Sequence, residues 1–251
     1  MNQVERYRHI QEYLSGLDFV SQEDLCTRLG ASKATVRRDL IELERKRIIK
    51  RVHGGAMAIS TRDDALDFRK LSGSCQEEKI RIGQAAANLV QDGQTIILGG
   101  GSTAAEVARC LFDRPIQIIT NSIPVAEVFW ECKHTEVTLT GGYLYPRLGI
   151  QLGPICERML HSVSADIAFM GVRGITEEGL SDSSALVVES IRAMIKCAER
   201  TVIVADHTKF GRKAMVHVAD LGELDQVISD RDLAKEHREM LDRQGISYIV
   251  A

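Results

Sequence analysis

No stretch of this sequence approaches 18 consecutive apolar residues, and its first thirty positions are charged and lack the apolar run of a leader. Both absences argue against secretion and membrane insertion, and leave a cytoplasmic protein with no membrane partner as the expectation. The six cysteines, Cys26, Cys75, Cys110, Cys132, Cys156 and Cys197, form no C-x-x-C pair, and several fall inside apolar helical patterns. They read as reduced core residues, so no disulfide frame, metal or cofactor is expected. Internal repeats and low-complexity tracts are missing too. So is a large excess of one charge: the net charge is −3, which by itself suggests no acidic or basic partner.

The distribution of charge says more than the total. Residues 1–59 carry 11 Lys/Arg against 8 Asp/Glu, and within 27–51 the balance is 9 to 3, while the rest of the chain is acidic. A basic patch on an acidic protein is the electrostatic footprint of a phosphate-binding module. At about 150 residues per domain, the 251 residues suggest one or two domains. The patterning favours two.

Residues 1–59 read as three helices and a hairpin. Ile10, Leu14 and Leu17 stripe the first helix. Ser21 caps the second, with Asp24 completing a weak capping box and Leu25 and Leu29 pointing inward. Gly30-Ala31 turns the chain. Ser32 caps a third helix whose Val36, Leu40 and Leu43 share one face and leave Lys33, Arg37 and Arg38 on the other. Strands at Ile48–Val52 and Ala56–Ile59 flank a His53-Gly54-Gly55 turn. Residues 60–75 are polar and weakly patterned, and read as a linker. From 76 to 251 helical stretches alternate with apolar runs at Thr95–Leu98, Ile116–Thr120, Val137–Thr140, Ile167–Gly171, Val202–Ala205 and Tyr248–Val250. Such alternation implies an α/β domain, Rossmann-like in layout, with a largely parallel sheet covered on both faces.

Two capped helices joined by a tight turn, the second basic on its exposed face, are the arrangement that sets a helix N-terminus in the major groove of double-stranded DNA. Ser32 and Thr35 add hydroxyl donors to the free N–H groups there, while Lys33, Arg37 and Arg38 supply charge for phosphates or guanine edges. Arg51 and His53 sit on the hairpin, where a wing meets backbone or minor groove. For an isolated helix a solvated face would be the better account of Arg37-Arg38-Asp39, but turn, cap, basic face and hairpin occur together here, which reverses the choice. The run Leu25-x3-Leu29-Gly30-x-Ser32-x2-Thr35-Val36-Arg37-Arg38-Asp39-Leu40-x2-Leu43, followed by Lys50-Arg51-Val52-His53-Gly54-Gly55-Ala56, resembles the signature of the DeoR family of bacterial regulators. The likeness extends to Glu78-Lys79, Thr120-Asn121-Ser122, Thr140-Gly141-Gly142 and Asp206-x2-Lys209-Phe210-Gly211. It implies a winged helix-turn-helix joined to a sugar-phosphate-sensing domain related to ribose-5-phosphate isomerase, acting as an oligomeric repressor. The expected partners are operator DNA, a phosphorylated sugar or sugar alcohol, and further copies of the chain as dimer or tetramer.

Ligands of open α/β sheets bind beyond the carboxyl ends of the strands. There the sequence offers Gly99-Gly100-Gly101-Ser102-Thr103, Thr120-Asn121-Ser122, Thr140-Gly141-Gly142, and Asp206 with Lys209. Glycines admit close backbone approach, hydroxyls and a helix N-terminus bind phosphate oxygens, and the lysine supplies charge. Gly99-x-Gly101-x-x-Ala104 also fits a dinucleotide fingerprint, but Thr120-Asn121 stands where that site needs an acidic residue, and no Walker lysine follows. A plain strand-to-helix turn remains open. Resemblance assigns phosphate binding to Gly101, Ser102, Thr103, Asn121 and Lys209. Related sensors often begin the loop with Asp where this chain has Gly99, leaving the sugar-hydroxyl contact unassigned. Glu189 falls near the isomerase's catalytic carboxylate and reads either as a sugar contact or as a surface glutamate; Arg147 reads either as a phosphate contact or as a loop charge.

Two functions compete, with a constitutive architectural DNA binder as a minor third that would not need the acidic α/β domain. One is the ligand-controlled repressor; the other is a phosphosugar isomerase with a DNA-binding arm, which needs a carboxylate base such as Glu189 and enediolate stabilisation by Lys209. The isomerases carry an Asp-Gly-Ala-Asp-Glu run where this chain reads Gly171-Val172-Arg173-Gly174-Ile175, so a non-enzymatic regulator is expected.

Overall fold

The computed structural model of the chain describes residues 3–15, 19–46, 48–52, 54–58 and 68–251. Leu17, His53, Ile59 and positions 60–67 of the segment read as a linker lie outside the described residues, as does the side chain of Leu14. The chain divides into two units, Met1–Ala65 and Leu66–Ala251.

The first unit runs α1 (Gln3–Ser15), β1 (Phe19–Ser21), α2 (Gln22–Leu29), α3 (Lys33–Arg45), β2 (Ile49–Val52) and β3 (Gly55–Ala58). Ser21 lies in extended backbone and its hydroxyl accepts the Asp24 N–H at 3.0 Å, satisfying a donor that the start of α2 leaves open. Gly30 ends α2 at φ +58°, a left-handed turn that a residue without Cβ makes at little cost. Ser32 repeats the cap on α3, accepting from Thr35 N at 3.3 Å. The hairpin β2–β3 gains β1 as a third strand, in the order β1-β3-β2. Three residues are too few for a period-2 pattern, so sequence reading shows only the hairpin.

Ile10, Val20, Leu25, Leu29, Val36, Leu40, Leu43, Ile49 and Ala56 close one core beneath these elements. Asp39 is buried beside it and takes a two-pronged ion pair from Arg6 on α1, Nε to Oδ2 at 2.6 Å and Nη2 to Oδ1 at 3.1 Å. Sequence reading groups Asp39 with the basic stretch Arg37-Arg38. In the fold it points the other way and fastens α1 to α3.

The second unit runs α4 (Phe68–Ser72), α5 (Gln76–Ala87), β4 (Thr95–Leu98), α6 (Ser102–Cys110), β5 (Gln117–Thr120), α7 (Ile123–Val128), β6 (Glu136–Leu139), β7 (Tyr143–Tyr145), β8 (Ile150–Leu152) and α8 (Pro154–His161). It continues with β9 (Ala165–Met170), β10 (Gly174–Thr176), β11 (Gly179–Asp182), α9 (Ala185–Cys197), β12 (Ala198–Val204), β13 (Val216–Ala219), β14 (Gln226–Ser229), α10 (Lys235–Arg243) and β15 (Ser247–Val250). Seven strands form one sheet in the order β15-β14-β12-β9-β4-β5-β6. Every neighbouring pair in it is parallel.

The central strands of the sheet are buried on both faces because they alternate apolar side chains between two cores, while edge strand β6 is exposed. Ile96 and Leu98 join one core with Ile167, Phe169, Val202 and Val204; Ile97 joins the other with Ala168, Met170 and Ile203. Six of the strands coincide with the apolar runs of the sequence. The seventh, β14, is four residues that begin with Gln226 and end with Ser229, so its apolar signal shrinks to Val227 and Ile228. Two small antiparallel sheets, β7-β8 and β10-β11-β13, stand outside the main sheet. Helix α4 lies within the stretch read as linker: Leu71 packs against one core and Phe68 against the other.

Arg6→Ala leaves the Asp39 carboxylate buried without its cation. The expected loss is about 2 kcal/mol, below the range for a wholly enclosed pair because the Arg6 side chain keeps 16% of its exposure. Urea denaturation of the full chain, followed by circular dichroism, checks it. The exposed pair Lys33–Glu23 provides the contrast, and Lys33→Ala is expected to shift stability by less than about 1 kcal/mol.

Candidate functional site

In the first unit the N-terminus of α3 carries the residues singled out for DNA. Ser32, Lys33, Arg37 and Arg38 are exposed and Thr35 is half-buried. Ser32 Oγ lies 3.0 Å from Thr35 Oγ1, so these hydroxyls bond to each other and to the helix start. Lys33 Nζ reaches Glu23 at 3.1 Å. Among the described residues, Arg37 and Arg38 make no ion pair or side-chain hydrogen bond, so both guanidinium groups stand ready for an external anion. Arg51 on β2 is held by Glu44, which accepts its backbone N–H at 3.0 Å and meets its guanidinium at 3.6 Å. His53 lies outside the described residues.

In the second unit a cleft of ≈ 760 Å³, open solvent at its mouth included, lies at the carboxyl ends of β4, β5, β9 and β12. All-parallel pairing sends these four ends to the same edge of the sheet. Gly100, Gly101, Ser102, Thr103, Asn121 and Lys209 of the sequence candidates line it together. Gly101 has φ +119° and its missing Cβ would meet nothing within 4 Å, so the backbone is open to a ligand just where α6 begins. Ser102 and Thr103 form the first turn of that helix.

Lys209 reaches the wall from a short 3₁₀ turn, His207–Lys209, that Asp206 caps by accepting Thr208 N at 3.1 Å. Asp206 is almost fully buried and lies behind Lys209, its Oδ2 3.6 Å from Nζ. Burial pushes the Asp206 carboxyl up. The Thr208 hydroxyl and the charges of Lys209 and Lys79 outweigh that and hold it below the usual carboxylate range. Asp206 thus positions the lysine and does not itself face the cleft.

Other sequence candidates lie elsewhere for definite reasons. Ser122 is fully buried and caps α7, accepting from Val125 N at 3.3 Å. Gly141-Gly142 makes the turn into β7; a Cβ on Gly142 would stand 2.6 Å from Leu152 O, so packing requires that glycine. The Arg147 side chain is exposed, and its carbonyl accepts the Phe68 N–H at 2.9 Å. Glu189 is an exposed helix glutamate paired with Arg192 at 2.9 Å.

Several parts of the wall are not legible in the sequence, among them residues of α9 and β8. Leu71 of α4 lines the cleft, as do Arg173 and Asp182 from the antiparallel sheet β10-β11-β13 and its approach. The segment that brings Leu71 there is clasped by Lys79, a lysine with 2% exposure. Its Nζ donates to the carbonyls of Leu71 and Ser74, each at 2.5 Å, and to Ser74 Oγ at 3.4 Å. Burial lowers the Lys79 pKa, opposed by Asp206. Arg173 appears in the sequence only as a departure from the isomerase run, and nothing local links it to Asp182. Two polar atoms of the wall, Asn121 Oδ1 and Arg173 Nη2, are buried without a hydrogen-bond partner. Such groups are costly to leave unmatched.

Residues 6–62 match the model of the DeoR-like helix-turn-helix domain, and residues 74–231 match that of the DeoR C-terminal sensor domain. The HTH-type transcriptional repressor GlcR of Bacillus subtilis is 33% identical over 250 residues, covering 100% of this chain and 97% of that protein. The HTH-type transcriptional regulator GlpR of Haloferax volcanii is 34% identical over 248 residues, covering 98% and 97%. The HTH-type transcriptional regulator UlaR of Shigella sonnei is 30% identical over 251 residues, covering 99% of each. Among solved structures, ribose 5-phosphate isomerase A of Methanocaldococcus jannaschii overlaps at a TM-score of 0.40 with 21% identity over 55% of each chain. The eIF2B delta subunit of Chaetomium thermophilum overlaps at 0.40 with 15% identity, over 57% of this chain and 52% of that one. Overlap at that level leaves the chemistry to the chain's own residues. Both units match over nearly their whole length, and the chain belongs to the DeoR family of transcriptional regulators.

Proposed function

We propose that this regulator is a repressor of a sugar or sugar-alcohol operon, with a small phosphorylated sugar or sugar alcohol as the ligand that controls it. The observation that carries the reading is the cleft itself: an open glycine turn at a helix start, two hydroxyls and a lysine converge with two buried, unmatched polar atoms. A phosphate dianion suits the first group, since helix N–H donors, hydroxyls and an ammonium are its usual partners. The assigned ligand contacts are Gly100, Gly101, Ser102, Thr103, Asn121 and Lys209.

Binding without turnover is part of the proposal. Its support is that Glu189, the carboxylate suited to proton transfer, faces solvent in an ion pair with Arg192, while the isomerase acidic run is replaced by Gly171–Ile175. The names of the relatives, all transcriptional repressors or regulators, agree. The DNA contacts are assigned to Ser32, Lys33, Thr35, Arg37, Arg38 and Arg51. One recognition helix reads only a few base pairs, so the chain is proposed to act in the cytoplasm as a dimer or tetramer on paired half-sites. Communication is assigned to residues 68–75: Leu71 touches the ligand space, and this stretch continues directly into 60–67, which precede it in the chain. A tenfold change in operator affinity requires a coupling of about 1.4 kcal/mol between the two binding events.

Fluorescence anisotropy of labelled operator DNA across a phosphosugar panel tests the reading: at least one compound is expected to shift affinity tenfold, and no shift with any would overturn it. Lys209→Ala is expected to abolish that shift while operator DNA is still bound. For the DNA face, Arg37→Ala and Arg38→Ala separate two roles. A phosphate contact predicts weaker binding to all sequences and a salt slope smaller by about 1; a base contact predicts a loss of about 1–3 kcal/mol confined to the cognate site.

A further inference from the structure

Gly174 pairs with Ser181 across the β10–β11 ladder, and the Arg173 N–H donates to Ser181 O at 3.1 Å. Arg173 lies just before β10 and meets the same Ser181 as Gly174, in the manner of a β-bulge, while Asp182 follows Ser181 at the end of β11. Both line the cleft. Neither is spent within the protein. The Arg173 guanidinium makes no hydrogen bond among the described residues, and its Nη2 is shut away from solvent. Asp182 has 6% exposure and accepts the N–H groups of Ser183 and Ser184 on Oδ1 alone, at 2.6 and 3.4 Å, so Oδ2 keeps its capacity.

Burial pulls the Arg173 pKa down against the opposing charges of Asp182 and Tyr145, and burial pushes Asp182 up. Two polar groups line the cleft: Lys209 with the glycine turn, and Arg173 with Asp182. A fork of N–H donors beside a carboxylate acceptor is suited to adjacent oxygen functions that both accept and donate, such as a carbonyl or hydroxyl next to another hydroxyl. A second anion on the ligand would meet the Asp182 carboxylate in the same cleft, which disfavours it.

We propose that Arg173 and Asp182 form the specificity end of the effector cleft, binding the uncharged polyhydroxylated end of a phosphorylated sugar or sugar alcohol and discriminating against sugar-acid phosphates. The inference rests on the phosphosugar reading above and adds which part of the ligand is selected. Arg173 donates to a ligand carbonyl or hydroxyl oxygen, and Asp182 accepts from a hydroxyl. The phosphate stays with Lys209, Ser102 and Thr103.

Isothermal titration of the full-length chain tests this with inorganic phosphate, ribose 5-phosphate, glucose 6-phosphate, fructose 6-phosphate, sorbitol 6-phosphate, glycerol 3-phosphate and 6-phosphogluconate. The wild type is expected to bind one uncharged-ended phosphosugar at least tenfold more tightly than either inorganic phosphate or 6-phosphogluconate. Arg173→Lys, which keeps charge and stem but loses the fork, and the isosteric Asp182→Asn are each expected to cut the advantage over inorganic phosphate at least fivefold. Asp182→Asn should also narrow the gap to 6-phosphogluconate. Lys209→Ala should weaken phosphosugar and inorganic phosphate alike. The inference is overturned if both variants keep the phosphosugar advantage, if Arg173→Lys weakens inorganic phosphate equally, or if 6-phosphogluconate binds as tightly as the sugars. A wild type that binds none of the compounds overturns the phosphosugar reading and this inference together.

Discussion

The all-parallel sheet constrains everything else in the larger unit. Its central strands are apolar on both faces, each face feeding a separate core, so polar side chains have no room along the strands. They collect beyond the strand ends, and parallel pairing sends all of those ends to one edge. A cleft rich in backbone N–H groups, hydroxyls and one lysine follows from that geometry. Asp206 illustrates how the edge is built: it caps a short turn, and the same carboxylate steadies the lysine presented to the cleft.

The smaller unit depends on helix ends and on one buried ion pair. Serine caps at Ser21 and Ser32 fix where α2 and α3 begin, Gly30 supplies the turn between them, and the fork of Arg6 onto Asp39 ties α1 to α3. Leu40 and Leu43 on the buried side leave Arg37 and Arg38 exposed, without ion pairs among the described residues. The helix proposed to meet DNA is therefore packed where it faces the core and carries charge where it faces solvent.

Lys79 links sequence to mechanism. Its ammonium is buried and bonded to the carbonyls of Leu71 and Ser74, so the chain entering the larger unit is pinned over the ligand space. A buried lysine is expensive unless its donors are matched, and here backbone oxygens match them. The stretch that reads as polar linker is thus partly structural, a helix with Leu71 and Phe68 packed inward.

Periodicity and caps were enough to reveal the helices of the first unit, the patch at Lys33, Arg37 and Arg38, six of the parallel strands and the glycine, Asn121 and Lys209 contributions to the cleft, because these are local signals: spacing, turn chemistry and residue type within one element. Strands β1 and β14 escaped since three or four residues carry too little pattern. Glu189, Arg147 and the Gly141-Gly142 pair follow or flank the right elements but do not line the cleft, a matter of three-dimensional placement that spacing does not encode. Arg173, Asp182 and Leu71 enter the site only through folding. The β10–β11 hairpin brings the first two to the cleft, and the Lys79 clasp carries the third over from a segment with no pattern of its own. The sequence by itself determined which elements form and which chemistry they carry; tertiary structure alone decided which side chains share a cavity, because that depends on register and packing between segments far apart in the chain.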